Sequence, residues 1–151
     1  LDDLLNGGIQ LIWQTGQSDF ARVRAAIGNK HIGWLGAFID RMEYAFGAAD
    51  LVVCRAGATT LAELTRVGKP AIVIPYPHAA GDHQTHNALS LAEAGAAVMI
   101  ADHDARLKLK SVALGLLSDP ERLENMGRTG ARLGKPEAGR AIAAAILEMI
   151  R

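Results

Sequence analysis

The chain has 151 residues, half of them hydrophobic, and its 16 lysine and arginine side chains balance 16 aspartate and glutamate side chains. This length and apolar content support one domain with a real core, and the balanced charge argues against a nucleic-acid-binding surface or a polybasic membrane patch. The single cysteine, Cys54, excludes an internal disulfide, and no apolar run approaches the roughly 20 residues that cross a bilayer. We therefore expect a cytoplasmic protein.

Short apolar strands alternate with amphipathic helices along most of the chain. Residues 1–8 have the pattern of a helix end closed by Asn6 and Gly7, which indicates a fragment of a longer protein. Strands are predicted at 9–14, 31–35, 51–54, 71–74 and 97–100. Helices are predicted at 19–27, at 40–46 with Asp40 as the cap, at 60–67 and 87–94, and in three segments that follow residue 100, the second of which begins at Asp119-Pro120.

This alternation predicts an α/β fold, with a doubly wound, mostly parallel sheet that has helices on both faces. Such a sheet binds ligands beyond the carboxyl ends of its strands. We treat residues 1–151 as a single domain.

Segment 51–63 carries the strongest functional signal. Its strand runs through small residues into a helix start, where free N–H groups and the helix dipole suit phosphate oxygens. Gly57 either permits a backbone turn or leaves space for a ligand. Thr60 and Glu63 have the spacing of a capping box, whereas Glu63 in a crevice would bind a ribose diol, and the residues alone leave these interpretations nearly equal.

Arg55 follows the strand directly, so its head should emerge at the carboxyl end. It either clamps phosphate or pairs with a structural carboxylate such as Asp50 or Glu63, and we favour the structural pairing.

A polar loop at 75–87 should face the same crevice. It offers hydrogen-bonding groups that suit sugar hydroxyls, on Asp82, His83, Gln84 and Asn87. Its three histidines match no standard zinc spacing, and we predict no metal; a solvated loop without a role is the other alternative. No catalytic triad, close carboxylate pair or Walker A motif can be identified, so we assign no catalytic residue.

These residues resemble the carboxyl-terminal half of the two-domain GT-B glycosyltransferases of family 28. The resemblance covers essentially the whole chain and rests above all on the Cys-Arg-x-Gly-Ala and His-Gln-x-x-Asn-Ala elements, at 54–58 and 83–88. It implies an inverting transferase without metal or cofactor. Bacterial members move N-acetylglucosamine from UDP-N-acetylglucosamine to lipid I, which forms lipid II for peptidoglycan, as peripheral proteins at the cytoplasmic face of the inner membrane.

The resemblance also implies which residues bind the donor. Ile39 would contact the uracil through its backbone, with Met42 nearby, and Glu63 would hold the ribose hydroxyls. Gln84 would bind the N-acetylglucosamine, in a loop shaped by His83 and Asn87. Ala58, Thr59 and Thr60 would present the helix N-terminus to the diphosphate, and Gly57, Leu61 and Ala62 complete the substrate-binding set.

The chain departs from the family pattern at its start. The family's glycine-rich turn, the strand before it and the amino-terminal domain, which binds the acceptor and supplies the base, are absent. We therefore expect no transferase activity from this chain alone. We also expect two strands with an unpaired edge, compensated by a rearranged sheet, a swapped or intermolecular strand, or limited stability.

Two other functions fit the same architecture. The chain could be a non-catalytic UDP-sugar-binding subunit of a two-chain glycosyltransferase. It could also be a UDP-sugar epimerase-like domain, although that chemistry needs acid and base residues that the sequence does not reveal.

Overall fold

The computed structural model describes residues 5–150, so part of the predicted helix end at 1–8 lies outside the described residues. Of that segment, residues 5–6 are helical and residues 7–8 form a turn. The chain divides into two compact units, Leu1–Ala49 and Asp50–Arg151. Nowhere in residues 5–150 does a helix combine the length and the apolar character that a membrane crossing requires.

The Leu1–Ala49 unit contains a two-stranded parallel sheet. β1 (Leu11–Gln14) lies beside β2 (Gly33–Gly36), and α1 (Gln17–Ile27) connects them, as a parallel pair requires. A second helix, α2 (Met42–Ala48), follows β2. The small core of this unit consists of Val23, Ile27 and Ile32, against which Leu11 and Leu35 pack.

The predicted cap of α2 is wrong. The helix begins at Met42 and has no side-chain cap hydrogen bond, so Asp40 does not cap it. The preceding residue, Ile39, donates its N–H to Gln14 Oε1 at 2.8 Å. Because this bond holds the segment against the end of β1, the chain turns into the helix later than the local pattern predicts.

The Asp50–Arg151 unit contains a three-stranded parallel sheet. Its order is β3 (Val52–Cys54), β4 (Ala71–Val73) and β5 (Ala97–Met99). Every residue of β4 is at most 2% exposed, so both faces of this sheet are covered. The carboxyl ends of the three strands meet at one edge, where the loops lead into the next helices.

Five described helices belong to this unit: α3 (Ala58–Val67), α4 (His83–Glu93), α5 (Asp102–Leu117), α6 (Pro120–Leu133) and α7 (Ala138–Met149). The main core cluster joins Ile72 and Ile74 to Leu116 of α5 and Met126 of α6. α6 begins as predicted, because Asp119 Oδ1 accepts the N–H of Arg122.

The predicted α/β class is confirmed. All observed strand pairs are parallel, and helices separate the strands along the chain. The five strands form two sheets rather than one. Within the part of the chain that the structure describes, β1 pairs only with β2, and β3 pairs only with β4. The outer strands of any open sheet have one unpaired edge, here β1, β2, β3 and β5, so these pairings do not identify two neighbours of a missing strand. That expectation and the limited stability stay predictions.

Candidate functional site

The candidate site lies where β3 ends and α3 begins. Gly57 precedes the helix with φ −68° and ψ 138°, and the first helical bond runs from Leu61 N to Gly57 O at 3.0 Å. No hydrogen bond among residues 5–150 uses the N–H groups of residues 58–60, as expected of a first helical turn. Three bare N–H groups and the positive end of the helix dipole are therefore available, and they suit an anion such as phosphate.

The backbone conformation at Gly57 does not require glycine. Its φ and ψ are open to any residue, and an added Cβ would meet only Thr60 Oγ1, at 3.9 Å. The interpretation of Gly57 as a turn that requires glycine is therefore wrong. The space at its missing side chain, beside the first turn of α3, is open apart from that one contact.

The capping-box interpretation of Thr60 and Glu63 is also wrong. α3 begins two residues before the predicted start, at Ala58, so Thr60 is its third residue and is not the N-cap. No side-chain hydrogen bond caps the helix. Glu63 is exposed, and its carboxylate has no hydrogen bond or ion pair within residues 5–150. This carboxylate is therefore available to the hydroxyl groups of a ligand.

The second candidate segment is a helix start rather than a loop. α4 begins at His83, four residues before the predicted start, after a short 3-10 helix (Ala80–Asp82). Asp82 has φ 55°, a left-handed conformation that aspartate tolerates, and it makes the sharp entry into the helix possible. The predicted sugar-side residues His83, Gln84 and Asn87 consequently lie on the first turns of α4.

The side chains of Gln84 and Asn87 each form a hydrogen bond with the backbone of a neighbouring segment. Gln84 Oε1 accepts the N–H of Tyr76 at 3.0 Å. Because a backbone N–H requires an acceptor, this bond identifies the amide oxygen, and the two Nε2 donors of Gln84 remain for a ligand. Asn87 Nδ2 donates to Ala56 O at 3.1 Å, which ties α4 to the turn before α3. The structure therefore brings the two predicted segments of this unit together.

His83 makes a local contact. Its Nδ1 lies 2.6 Å from Ala80 O, and since a carbonyl can only accept, Nδ1 carries the proton in this contact. Over the described range 5–150, no group of three or more His, Cys, Asp or Glu side chains could hold a metal ion.

Ile39 and Met42, the predicted nucleobase residues, lie in the Leu1–Ala49 unit. Gln14 occupies the N–H of Ile39, so the carbonyl oxygen of Ile39 is the backbone group that remains for a base. Met42 is the first residue of α2 and is half-buried.

Arg55 pairs with a carboxylate that its sequence neighbourhood does not predict. Its Nη1 donates to Asp102 Oδ1, at the start of α5, and contacts two backbone carbonyls just beyond β4. The structural pairing is therefore correct in kind, but neither Asp50 nor Glu63 is the partner. Asp102 is 47 residues along the chain, so no local pattern signals it.

The chain is similar to a described family and to curated proteins. The model of the glycosyltransferase family 28 C-terminal domain matches residues 2–141. A Chlorobaculum tepidum protein named UDP-N-acetylglucosamine--N-acetylmuramyl-(pentapeptide) pyrophosphoryl-undecaprenol N-acetylglucosamine transferase is 49% identical over 146 residues, which cover 96% of this chain and 40% of that protein. A Nitratidesulfovibrio vulgaris protein of the same name is 41% identical over 154 residues, which cover 100% of this chain and 42% of that protein.

A solved structure shares the fold. The crystal structure of MurG from Acinetobacter baumannii matches 89% of this chain and 42% of its own chain, with a TM-score of 0.78 and 32% identity. This chain thus spans about two fifths of the length of the relatives that it matches.

Proposed function

The chain belongs to the family of glycosyltransferase family 28 C-terminal domains, and from this membership we propose that it is the donor-binding part of an N-acetylglucosamine transferase. In the proposed reaction the sugar leaves UDP-N-acetylglucosamine, with inversion at its anomeric carbon, and joins lipid I to form lipid II. The names of relatives at 49% and 41% identity support this pair of substrates. The proposed acceptor is lipid-linked, and the family resemblance implies that the whole enzyme acts peripherally at the cytoplasmic face of the inner membrane.

The first turn of α3 is the observation that carries the proposal. The bare N–H groups of residues 58–60 and the open space at Gly57 suit the diphosphate of the donor. Negative charge develops on the departing UDP during transfer. Fixed N–H groups at a helix N-terminus stabilise that charge without reorganising, which favours the transition state over the bound donor.

The remaining donor contacts follow from the groups that the fold leaves available. Glu63 accepts hydrogen bonds from the two ribose hydroxyls, because two carboxylate oxygens match a vicinal diol. Gln84 Nε2 donates to an oxygen of the N-acetylglucosamine. The carbonyl of Ile39 accepts the uracil N–H, with Met42 beside it. Leu61 and Ala62, which follow in the same helix, complete the proposed substrate-binding set.

Calorimetric titration of this chain with UDP and UDP-N-acetylglucosamine tests the proposal. The wild type should bind both. Glu63→Ala should weaken binding by at least about tenfold, since a hydrogen bond to a charged group contributes about 1.5–3 kcal/mol. Glu93→Ala, which removes the same charge at the far end of α4, should bind like the wild type. No binding to the wild type would contradict the donor site, and full affinity in Glu63→Ala would remove that residue from it.

A further inference from the structure

We propose that Arg55 is a positioning residue that orients the sugar-binding amide of Gln84 through the Pro75–Tyr76 peptide group. This inference rests on the proposed donor site and adds to it a residue that does not touch the donor.

Arg55 reaches from the end of β3 to the segment after β4. Its Nη1 lies 3.3 Å from Ile74 O and 3.3 Å from Pro75 O, and it forms an ion pair with Asp102 Oδ1. Its Cζ lies 5.6 Å from the centroid of the Tyr76 ring. All three contacts converge on the one Nη1 atom of a permanently charged guanidinium, and the ion pair with Asp102 is the shortest of them. Asp102, on the first turn of α5, holds that geometry in place.

The Pro75–Tyr76 peptide group is consequently held from both sides. Its oxygen contacts Arg55, and its N–H donates to Gln84 Oε1 at 3.0 Å. The carbonyl and the N–H of a planar trans peptide point in opposite directions, so fixing the oxygen also fixes the N–H. This peptide group would rotate through ψ of Pro75 together with φ of Tyr76, while the ring of Pro75 keeps its own φ fixed.

The direction of the Tyr76 N–H decides where the amide of Gln84 lies. With the Oε1 atom anchored on that N–H, the Nε2 donors are placed for the sugar in advance. Without Arg55, rotation at Pro75 would release the anchor, and part of the binding free energy would be spent on ordering the amide again.

A direct contact between Arg55 and phosphate is the competing role, and it makes a different prediction. A residue that binds the diphosphate contributes at least as much to the binding of UDP, whose terminal phosphate carries more negative charge, as to the binding of UDP-N-acetylglucosamine. A residue that positions Gln84 contributes only to the binding of the sugar. The ratio of the two affinities therefore separates the roles.

Calorimetry with UDP and UDP-N-acetylglucosamine on Arg55→Met measures this ratio. We expect the UDP affinity to stay within about twofold, and the preference for UDP-N-acetylglucosamine to fall about threefold to tenfold, as for the loss of one hydrogen bond. Asp102→Asn should lower the preference in the same direction, and Arg55→Lys should restore part of it. Arg128→Met, which removes an arginine from an exposed ion pair on α6, should change neither affinity.

A second comparison connects Arg55 to Gln84. In a Gln84→Ala background, Arg55→Met should not change the preference further, because the amide that it orients is gone. Equal loss of both affinities, an unchanged preference, or a full effect of Arg55→Met in that background would overturn the inference. Thermal unfolding tests whether each variant is folded. If Arg55→Met does not fold, the two affinities of Asp102→Asn and Arg55→Lys decide between the roles instead. Failure of the wild type to bind UDP would instead contradict the proposed donor site.

Discussion

Gly57 and Gly68 lie at opposite ends of α3 and are glycines for different reasons. Gly68 ends the helix with φ 66°, and a Cβ there would lie 3.2 Å from Gly127 O. Both the backbone and the packing therefore require glycine at that end. Gly57 has φ −68° and open space around it, so neither requirement applies. The fold therefore requires glycine at position 68 and does not require it at position 57.

This difference predicts the effect of alanine at each end. Gly57→Ala should keep the free energy of unfolding or raise it by about 0.4–1 kcal/mol, because alanine restricts the unfolded chain. The same change should weaken UDP binding by about tenfold, since the added Cβ would occupy open space beside the first turn of α3, where the diphosphate is proposed to bind. Gly68→Ala, the matched control, should lower the free energy of unfolding by about 1–2 kcal/mol. Urea denaturation and calorimetry measure both quantities, and full UDP affinity in Gly57→Ala would contradict the expectation.

Cys54, at the end of β3, predicts a pH dependence of stability. Burial raises the pKa of its thiol from 9.0 to about 11. The folded protein then holds this proton more tightly than the unfolded chain does, so the stabilisation is complete below pH 9 and is lost as the pH rises through 11. The corresponding loss is about 2–3 kcal/mol. Cys54→Ala should lack this loss of stability. Urea denaturation of both proteins between pH 9 and pH 11 should therefore give free energies of unfolding that diverge as the pH rises. Parallel pH dependences would contradict the attribution to Cys54.

At the scale of the elements, α3 and α6 approach each other closely enough to exclude a methyl group. Gly127 of α6 is buried, and a Cβ there would lie 2.5 Å from Gly68 O. The added Cβ is bonded directly to the backbone of Gly127, and the oxygen belongs to the backbone of Gly68. Neither atom can therefore move away by a side-chain rotation. The contact between these helices therefore depends on glycine at position 127.

Alanine substitutions in two helices test this contact. Gly127→Ala should lower the free energy of unfolding by about 1–3 kcal/mol, because the clash outweighs the helix propensity of alanine. Gly115→Ala, inside α5, has no atom within 4 Å of the new Cβ and should raise stability by about 0.5–1 kcal/mol. Thermal unfolding or urea denaturation measures both, and a stabilised Gly127→Ala would show that the helices can separate at little cost.

At the scale of the whole molecule, donor binding and sugar transfer should be separable. This chain carries the residues proposed for the donor but spans about two fifths of its relatives' length. We expect it to bind UDP-N-acetylglucosamine without transferring the sugar to lipid I, because the family resemblance implies that acceptor binding and the base reside in the amino-terminal domain. An assay of UDP release with lipid I should detect no turnover. The full-length Chlorobaculum tepidum relative is the positive control, and turnover by this chain alone would contradict the expectation.

The amino-acid sequence was sufficient for the fold class and for the position of a small-residue turn between β3 and α3. Both depend on local patterns: apolar strands such as 51–54 and 71–74 alternate with helices, and small residues at 56–57 precede a helix start. Such patterns act over a few residues, so they are visible without the tertiary structure.

Only the tertiary structure decided where α3 and α4 begin and what Arg55 contacts. Asn87 bonds Ala56 across 31 residues, and Arg55 pairs with Asp102 across 47. The capping-box pattern at Thr60 did not determine the helix start, because α3 begins two residues earlier, at Ala58. The physical reason is that these contacts join atoms that only the packed parallel sheet brings to one edge, and no short-range preference along the chain encodes their meeting.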